Sequence, residues 1–219
     1  MWYRAILAAA LFGLACTAAA PPARHRLPND WHLRPVGTGV SVGTMPQGIA
    51  RSPGGKRIAV LDAGAAPATL RILDARTLRT QTIVKLPDGF GIPIWLDSER
   101  LLVAGGKQDD IERVDLHQQH VVGIDGIGRG SWCAGIALSA HRTRLAAIGD
   151  ASGRVYAFDR RGERLWSAAV GAHPSALAFE ANGTLVVASR QDSKLSFFNR
   201  AGKLIAAIPT DRQYFFHKL

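Results

Sequence analysis

His117-Gln118-Gln119-His120 places two imidazoles three residues apart, a short spacing of the kind zinc sites use. A metal needs further ligands and none accompanies them, so the stretch reads as a solvated turn and no metal site is expected. Cys133 is the second candidate, since a thiolate is a nucleophile when a base stands beside it. It follows Ser131-Trp132 at the head of an apolar run with no catalytic motif around it, which reads as a core cysteine. Gly126-Ile127-Gly128-Arg129-Gly130 is rich in glycine, yet it lacks the phosphate-cradling spacing and no helical pattern follows it. The stretch Gly153–Trp166 carries Arg154, Arg160, Arg161 and Arg164 beside aromatic residues, as an anion-binding surface would. No catalytic residue and no cofactor is assigned from these patterns.

The elements that position these residues emerge from an internal repeat. Ile58, Leu101, Leu145 and Leu185 anchor four similar segments, RIAVLD, RLLVAG, RLAAIG and TLVVAS. A second marker, Asp74, Asp115, Asp159 and Asn199, keeps step with the first. Each unit contains four short strand patterns separated by turn-forming stretches such as SPGGK and EANG, and helical periodicity is missing throughout. Four strands in ~40 to 45 residues make one blade of a β-propeller. The expected fold is therefore all-β: four-stranded antiparallel blades at about 43–84, 85–129, 130–169 and 170–208, followed by an irregular tail at 209–219. In this frame Arg154–Asp159 is a third strand, Arg160–Glu163 its turn, and Trp166 a packing residue in the outer strand. The arginines that suggested a surface site fall on the blade's outer rim.

Val42-Gly43-Thr44-Met45-Pro46-Gln47-Gly48-Ile49-Ala50, continuing through Ser52-Pro53-Gly54-Gly55-Lys56-Arg57-Ile58-Ala59-Val60, resembles the repeat of YVTN, or YncE-like, propeller proteins. Val170-Gly171-Ala172-His173-Pro174 repeats its opening. The naming motif is degenerate here, as Ile58-Ala59-Val60-Leu61-Asp62 and Leu185-Val186-Val187-Ala188-Ser189. Leu27-Pro28-Asn29-Asp30-Trp31 and Leu86-Pro87-Asp88-Gly89-Phe90 also resemble the propeller portion of secreted proteins that carry an alkaline-phosphatase-like domain. No such domain is expected within these 219 residues, so no hydrolytic activity is carried over from the resemblance. Arg34–Val42 has the form of a fourth strand that could seal a ring, but the residues after Ile208 are too few to supply its partners. The expectation is an incomplete ring, a truncated copy in origin, because seven blades at this spacing need ~300 residues.

Loops entering the innermost strands border the central channel of a propeller, and that places Met45, Trp132 and His173 on one face. Asp62, Asp150 and Gln191 end second strands at the same face and complete a polar set able to hold a ligand. The first nineteen residues, with Arg4 ahead of AILAAALFGLACTAAA, read as a signal peptide cut after Ala18 or Ala19, followed by a leader segment at 20–33. The protein is then periplasmic or secreted; the alternative is lipoprotein anchoring through Cys16, and no transmembrane span is expected. Removal of Cys16 leaves Cys133 without an intramolecular disulfide partner. A net charge of +10 favours anionic partners. The leading reading is a non-enzymatic binding or scaffold module for an unknown protein or a small anionic ligand. The alternatives are a lactonase-like or phosphoesterase-associated enzyme using the channel face, and nucleic-acid binding through the basic surface. Open blade edges also allow self-association.

Overall fold

The computed structural model describes residues 25–26, 32–33, 37, 39–64 and 66–210. The expected signal peptide at 1–19 and residues 211–219 of the expected tail lie outside them. The chain divides into two units, Met1–Val40 and Ser41–Leu219. In the first, β1 (His25–Arg26) pairs antiparallel with β2 (His32–Leu33).

The second unit is built from sixteen strands in four antiparallel sheets, with no helix among the described residues. Blade 1 contains β3 (Pro46–Arg51), β4 (Arg57–Asp62), β5 (Thr69–Asp74) and β6 (Thr80–Lys85). Blade 2 contains β7 (Phe90–Trp95), β8 (Arg100–Ala104), β9 (Asp110–Asp115) and β10 (His120–Asp125). Blade 3 contains β11 (Cys133–Leu138), β12 (Arg144–Gly149), β13 (Arg154–Asp159) and β14 (Arg164–Ala169). Blade 4 contains β15 (Pro174–Phe179), β16 (Leu185–Ser189), β17 (Lys194–Phe198) and β18 (Leu204–Pro209). In every blade each strand pairs with its sequence neighbour.

The turns explain the repeat markers. Asp74 Oδ1 accepts the Thr77 N–H at 2.7 Å, Asp115 Oδ1 that of Gln118 at 2.9 Å, Asp159 Oδ1 that of Arg161 at 2.8 Å, and Asn199 Oδ1 that of Ala201 at 3.0 Å. A short acceptor at this position closes an Asx-type turn and aims the fourth strand back along the third. The turn before the second strand uses the same device with other residues. Ser52 and Ser139 hydroxyls accept from Arg57 and Arg144 N–H, while Asp97 and Asn182 carbonyl-type oxygens accept from Arg100 and Thr184.

Blades stack through their faces. β3 packs on β7, β7 on β11 and β11 on β15, and each junction buries its own apolar cluster. Leu61, Leu70 and Ile72 meet Leu101, Val103 and Val114 between blades 1 and 2. Leu102 and Ile111 meet Leu145, Tyr156 and Phe158 between blades 2 and 3. Ile148 and Val155 meet Leu185, Val187 and Phe198 between blades 3 and 4. The alternation along β13 thus serves two junctions: Val155 turns toward blade 4, Tyr156 and Phe158 toward blade 2. Trp166 packs against Phe198, ring centroids 6.0 Å apart, and donates its indole N–H to the Arg200 carbonyl at 3.1 Å.

The ring is not closed. On blade 4, Val186 and Phe197 are only half-buried and Ala178 is exposed, although they occupy the register positions of Ala59, Ile72 and Ala50, which pack against blade 2. The closing strand expected over Arg34–Val42 is not formed by Gly39–Val42, which belong to no strand, and Arg34, Pro35, Val36 and Thr38 lie outside the described residues. Blade 4 already has four strands of its own, so no outer position in it stands vacant for them.

Candidate functional site

Because the strands of each blade alternate in direction, the loops entering β3, β7, β11 and β15 share one end with the loops joining second to third strands. Met45, Trp132 and His173 occupy equivalent places in the first set of loops. Their carbonyls accept the N–H groups of Ala63 (3.2 Å), Asp150 (2.9 Å) and Arg190 (3.1 Å) from the second set. Trp132 and His173 sit at φ of 55° and 52°, a left-handed conformation that costs a non-glycine residue energy and persists where neighbours hold it.

Carboxylates do much of that holding. Asp62 Oδ1 accepts the Met45 N–H at 2.6 Å, and Asp109 accepts those of Trp132 (2.7 Å) and Gly130 (2.5 Å). Asp88 accepts the Lys107 N–H at 2.9 Å, and Asp192 accepts that of Ala172 at 3.2 Å. Asp150 instead reaches across to the next loop, with Oδ2 3.1 Å from His173 Nδ1 and Oδ1 3.4 Å from Arg190 Nη2. Trp132, 41% exposed, lies edge-on to Phe90 with centroids 6.4 Å apart. The structure therefore joins Met45 to Asp62 and His173 to Asp150 and gives Trp132 to Asp109, while Gln191 sits in an exposed turn.

Two further groups lack the setting for chemistry. Cys133 is fully buried, and burial pushes its thiol up to about 12, with the Asp110 charge adding to the effect. His117 and His120 are exposed at the β9–β10 turn, and among the described residues no group of three His, Cys, Asp or Glu side chains could hold a metal ion. Glu112 is a different case. It is buried on β9, neither carboxylate oxygen has a hydrogen-bond partner among the described residues, and burial, with the Asp110 charge next, raises its pKa to about 8.

The opposite end of the blades carries a cleft of ≈ 360 Å³ between blades 2 and 3. Its floor is aliphatic, formed by Leu102, Ile124 and Leu145. Its walls carry Arg100, Arg113, Arg142, Arg144, Arg160 and His141, against a single carboxylate, Asp159. Asp159 stays ionised well below its ordinary value because the Glu163 backbone N–H and its turn neighbours bond it. Arg100 is held by Asp97, Arg142 by the Leu96 carbonyl and Arg144 by the Arg200 carbonyl. Arg113 and Arg160 are exposed, and their guanidinium groups make no hydrogen bond or ion pair among the described residues. Sequence reasoning passed over this cleft because its arginines come from strands and turns of two blades that look solvated one at a time.

The four stacked four-stranded sheets define a β-propeller fold, and the solved structures similar to the chain agree. It matches Kuenenia stuttgartiensis hydrazine synthase at 21% identity and a TM-score of 0.60, covering 77% of this chain and 51% of that one. It matches a streptogramin B lyase at 16% identity and 0.62, covering 75% and 54%. It also matches a catalytically inactive virginiamycin B lyase from Staphylococcus aureus with quinupristin, at 14% identity and 0.64, covering 77% and 56%. The chain thus spans about half the length of these structures, and at such identities the likeness concerns the fold. No family profile matches the chain, and no curated protein matches it.

Proposed function

We propose that this chain is a non-enzymatic binding module of the YVTN/YncE-like propeller type that works after export. The observation carrying this reading is the commitment of the carboxylates at the channel-side loops. Asp62, Asp88, Asp109 and Asp192 each accept backbone N–H groups of a neighbouring loop, so they serve as loop anchors rather than as free acids or bases. With Cys133 buried as a neutral thiol, no nucleophile, base and oxyanion donor converge there among the described residues.

One observation favours the enzymatic reading, the 3.1 Å contact between His173 and Asp150, which is the geometry of an oriented general base. A single assay separates the two. The purified chain is incubated with p-nitrophenyl acetate, p-nitrophenyl phosphate and a γ-lactone beside its His173→Ala variant. Equal background rates are expected; turnover that His173→Ala abolishes would overturn the binding-module reading. Export is checked by amino-terminal sequencing of the periplasmic or secreted protein, which should begin after Ala18 or Ala19.

A further inference from the structure

Among the third-strand positions that face the following blade, one holds Ile72, Arg113, Ala157 and Phe197 in blades 1 to 4. Three blades place an apolar residue there, and in blades 1 and 3 it is fully buried. Blade 2 places a guanidinium, which cannot leave water without a partner, and at this junction the cleft opens. A second departure coincides with it. Arg57 of blade 1 reaches across its junction to the Ser98 carbonyl and Glu99, and Arg144 of blade 3 reaches the Arg200 carbonyl. The equivalent Arg100 of blade 2 turns back to Asp97 in its own turn. The junction between blades 2 and 3 is thus left without its forward clamp on this side and is lined with positive charge instead.

We infer that this cleft is a binding site for a small amphipathic organic anion, a carboxylate or phosphate ester carried on an aryl or alkyl body. The head pairs with Arg113 and Arg160, whose fork-shaped donors suit planar carboxylate and phosphate oxygens. The body lies over the half-buried Ile124, above Leu102 and Leu145, whose side chains belong to the buried core beneath. A cavity of ≈ 360 Å³ with an apolar floor and a few convergent polar groups falls within the ~300–1,000 Å³ usual for small-molecule sites. The inference rests on the reading of the chain as a binding module, but not on any ligand at the channel-side loops. Turnover lost with His173→Ala would end that reading and leave the cleft untested by the same result; the following titration addresses the cleft alone.

Isothermal titration of the full chain with 1-naphthyl phosphate and 1-naphthoate distinguishes the two heads, while inorganic phosphate and 1-naphthol test head and body alone. Saturable binding of at least one of the two organic anions is expected, at least tenfold tighter than inorganic phosphate, with none for 1-naphthol, and weakening as salt rises. The Arg113→Ala/Arg160→Ala variant should bind at least tenfold more weakly, and Arg129→Ala, in a loop at the other end, should bind as the native chain does. Arg160→Ala alone, altered only in an exposed turn, serves if the double variant does not fold, and should weaken binding severalfold. Absence of saturable binding by either organic anion, affinity unchanged by the arginine variants, or inorganic phosphate binding as tightly as 1-naphthyl phosphate would overturn the assignment.

Discussion

Arg113 of β9 stands at the register position that Ile72 holds in β5, each facing the blade that follows. Ile72 lies between Ala59 and Thr82 across its sheet, and Arg113 between Leu102 and Val122. One position therefore seals the first junction and opens the second.

Arg113→Ile should restore the sealing residue. Partial burial of an isoleucine contributes about 1 kcal/mol, which corresponds to a rise in Tm of roughly 2–4 °C for a domain of this size. Thermal unfolding of the variant against the native chain measures it. A fall in Tm would mean that Arg113 stabilises the junction, contrary to its lack of partners.

Ile72 and Phe197 test whether blade 4 ends the stack. Ile72 is 1% exposed, and Ile72→Ala should cost about 2–4 kcal/mol through the cavity it leaves. Phe197 at the equivalent place is half-buried with no blade beyond it among the described residues, so Phe197→Ala should cost under about 1.5 kcal/mol despite removing a larger side chain. Urea unfolding of both variants provides the comparison. Equal costs would show that something covers the blade 4 face.

Glu112 should make stability fall with pH. Its pKa rises on folding from an ordinary 4.5 to about 8, so the unfolded chain ionises first. Below 4.5 the carboxyl is neutral in both states and carries no penalty. Between 4.5 and 8 the folded state holds a proton the unfolded state has released, and stability drops by up to about 1.4 kcal/mol per pH unit. Above 8 the loss levels off. Glu112→Gln should remove this part of the slope while filling the same space, read as Tm against pH from 4.5 to 8 in both chains. Parallel curves would contradict it.

The blades were legible because each is written several times over. The Asx-turn residues Asp74, Asp115, Asp159 and Asn199 and the alternating strands set turn and register locally, without help from distant contacts. The set of candidate residues was legible in part: Met45, Trp132 and His173 do share one kind of loop, but the sequence does not show that Asp62 spends its carboxylate on the Met45 N–H. Asp109, which holds Trp132, stands in no motif of the sequence. The cleft was hidden because Arg100 and Arg113 come from blade 2 while Arg142 and Arg160 come from blade 3, and only stacking brings them together. One signal was available, since aligning TLRILD, DIERVDL, RVYAFD and KLSFFN sets Arg113 in a column of Ile, Ala and Phe. The absent closing strand at Gly39–Val42 was misread because a strand pattern specifies pairing only when a partner edge exists.

The central claim is that the arginine cleft, and not the carboxylate-anchored loops at the other end, receives the ligand. The most direct measurement is an amide chemical-shift map of the isotopically labelled chain titrated with 1-naphthyl phosphate. The account predicts saturating shifts at Leu96–Leu102, His141–Leu145 and Asp159–Gly162, with Met45, Trp132 and His173 unmoved. Shifts confined to Met45, Trp132, Asp150 and His173, with the cleft residues unmoved, would contradict it.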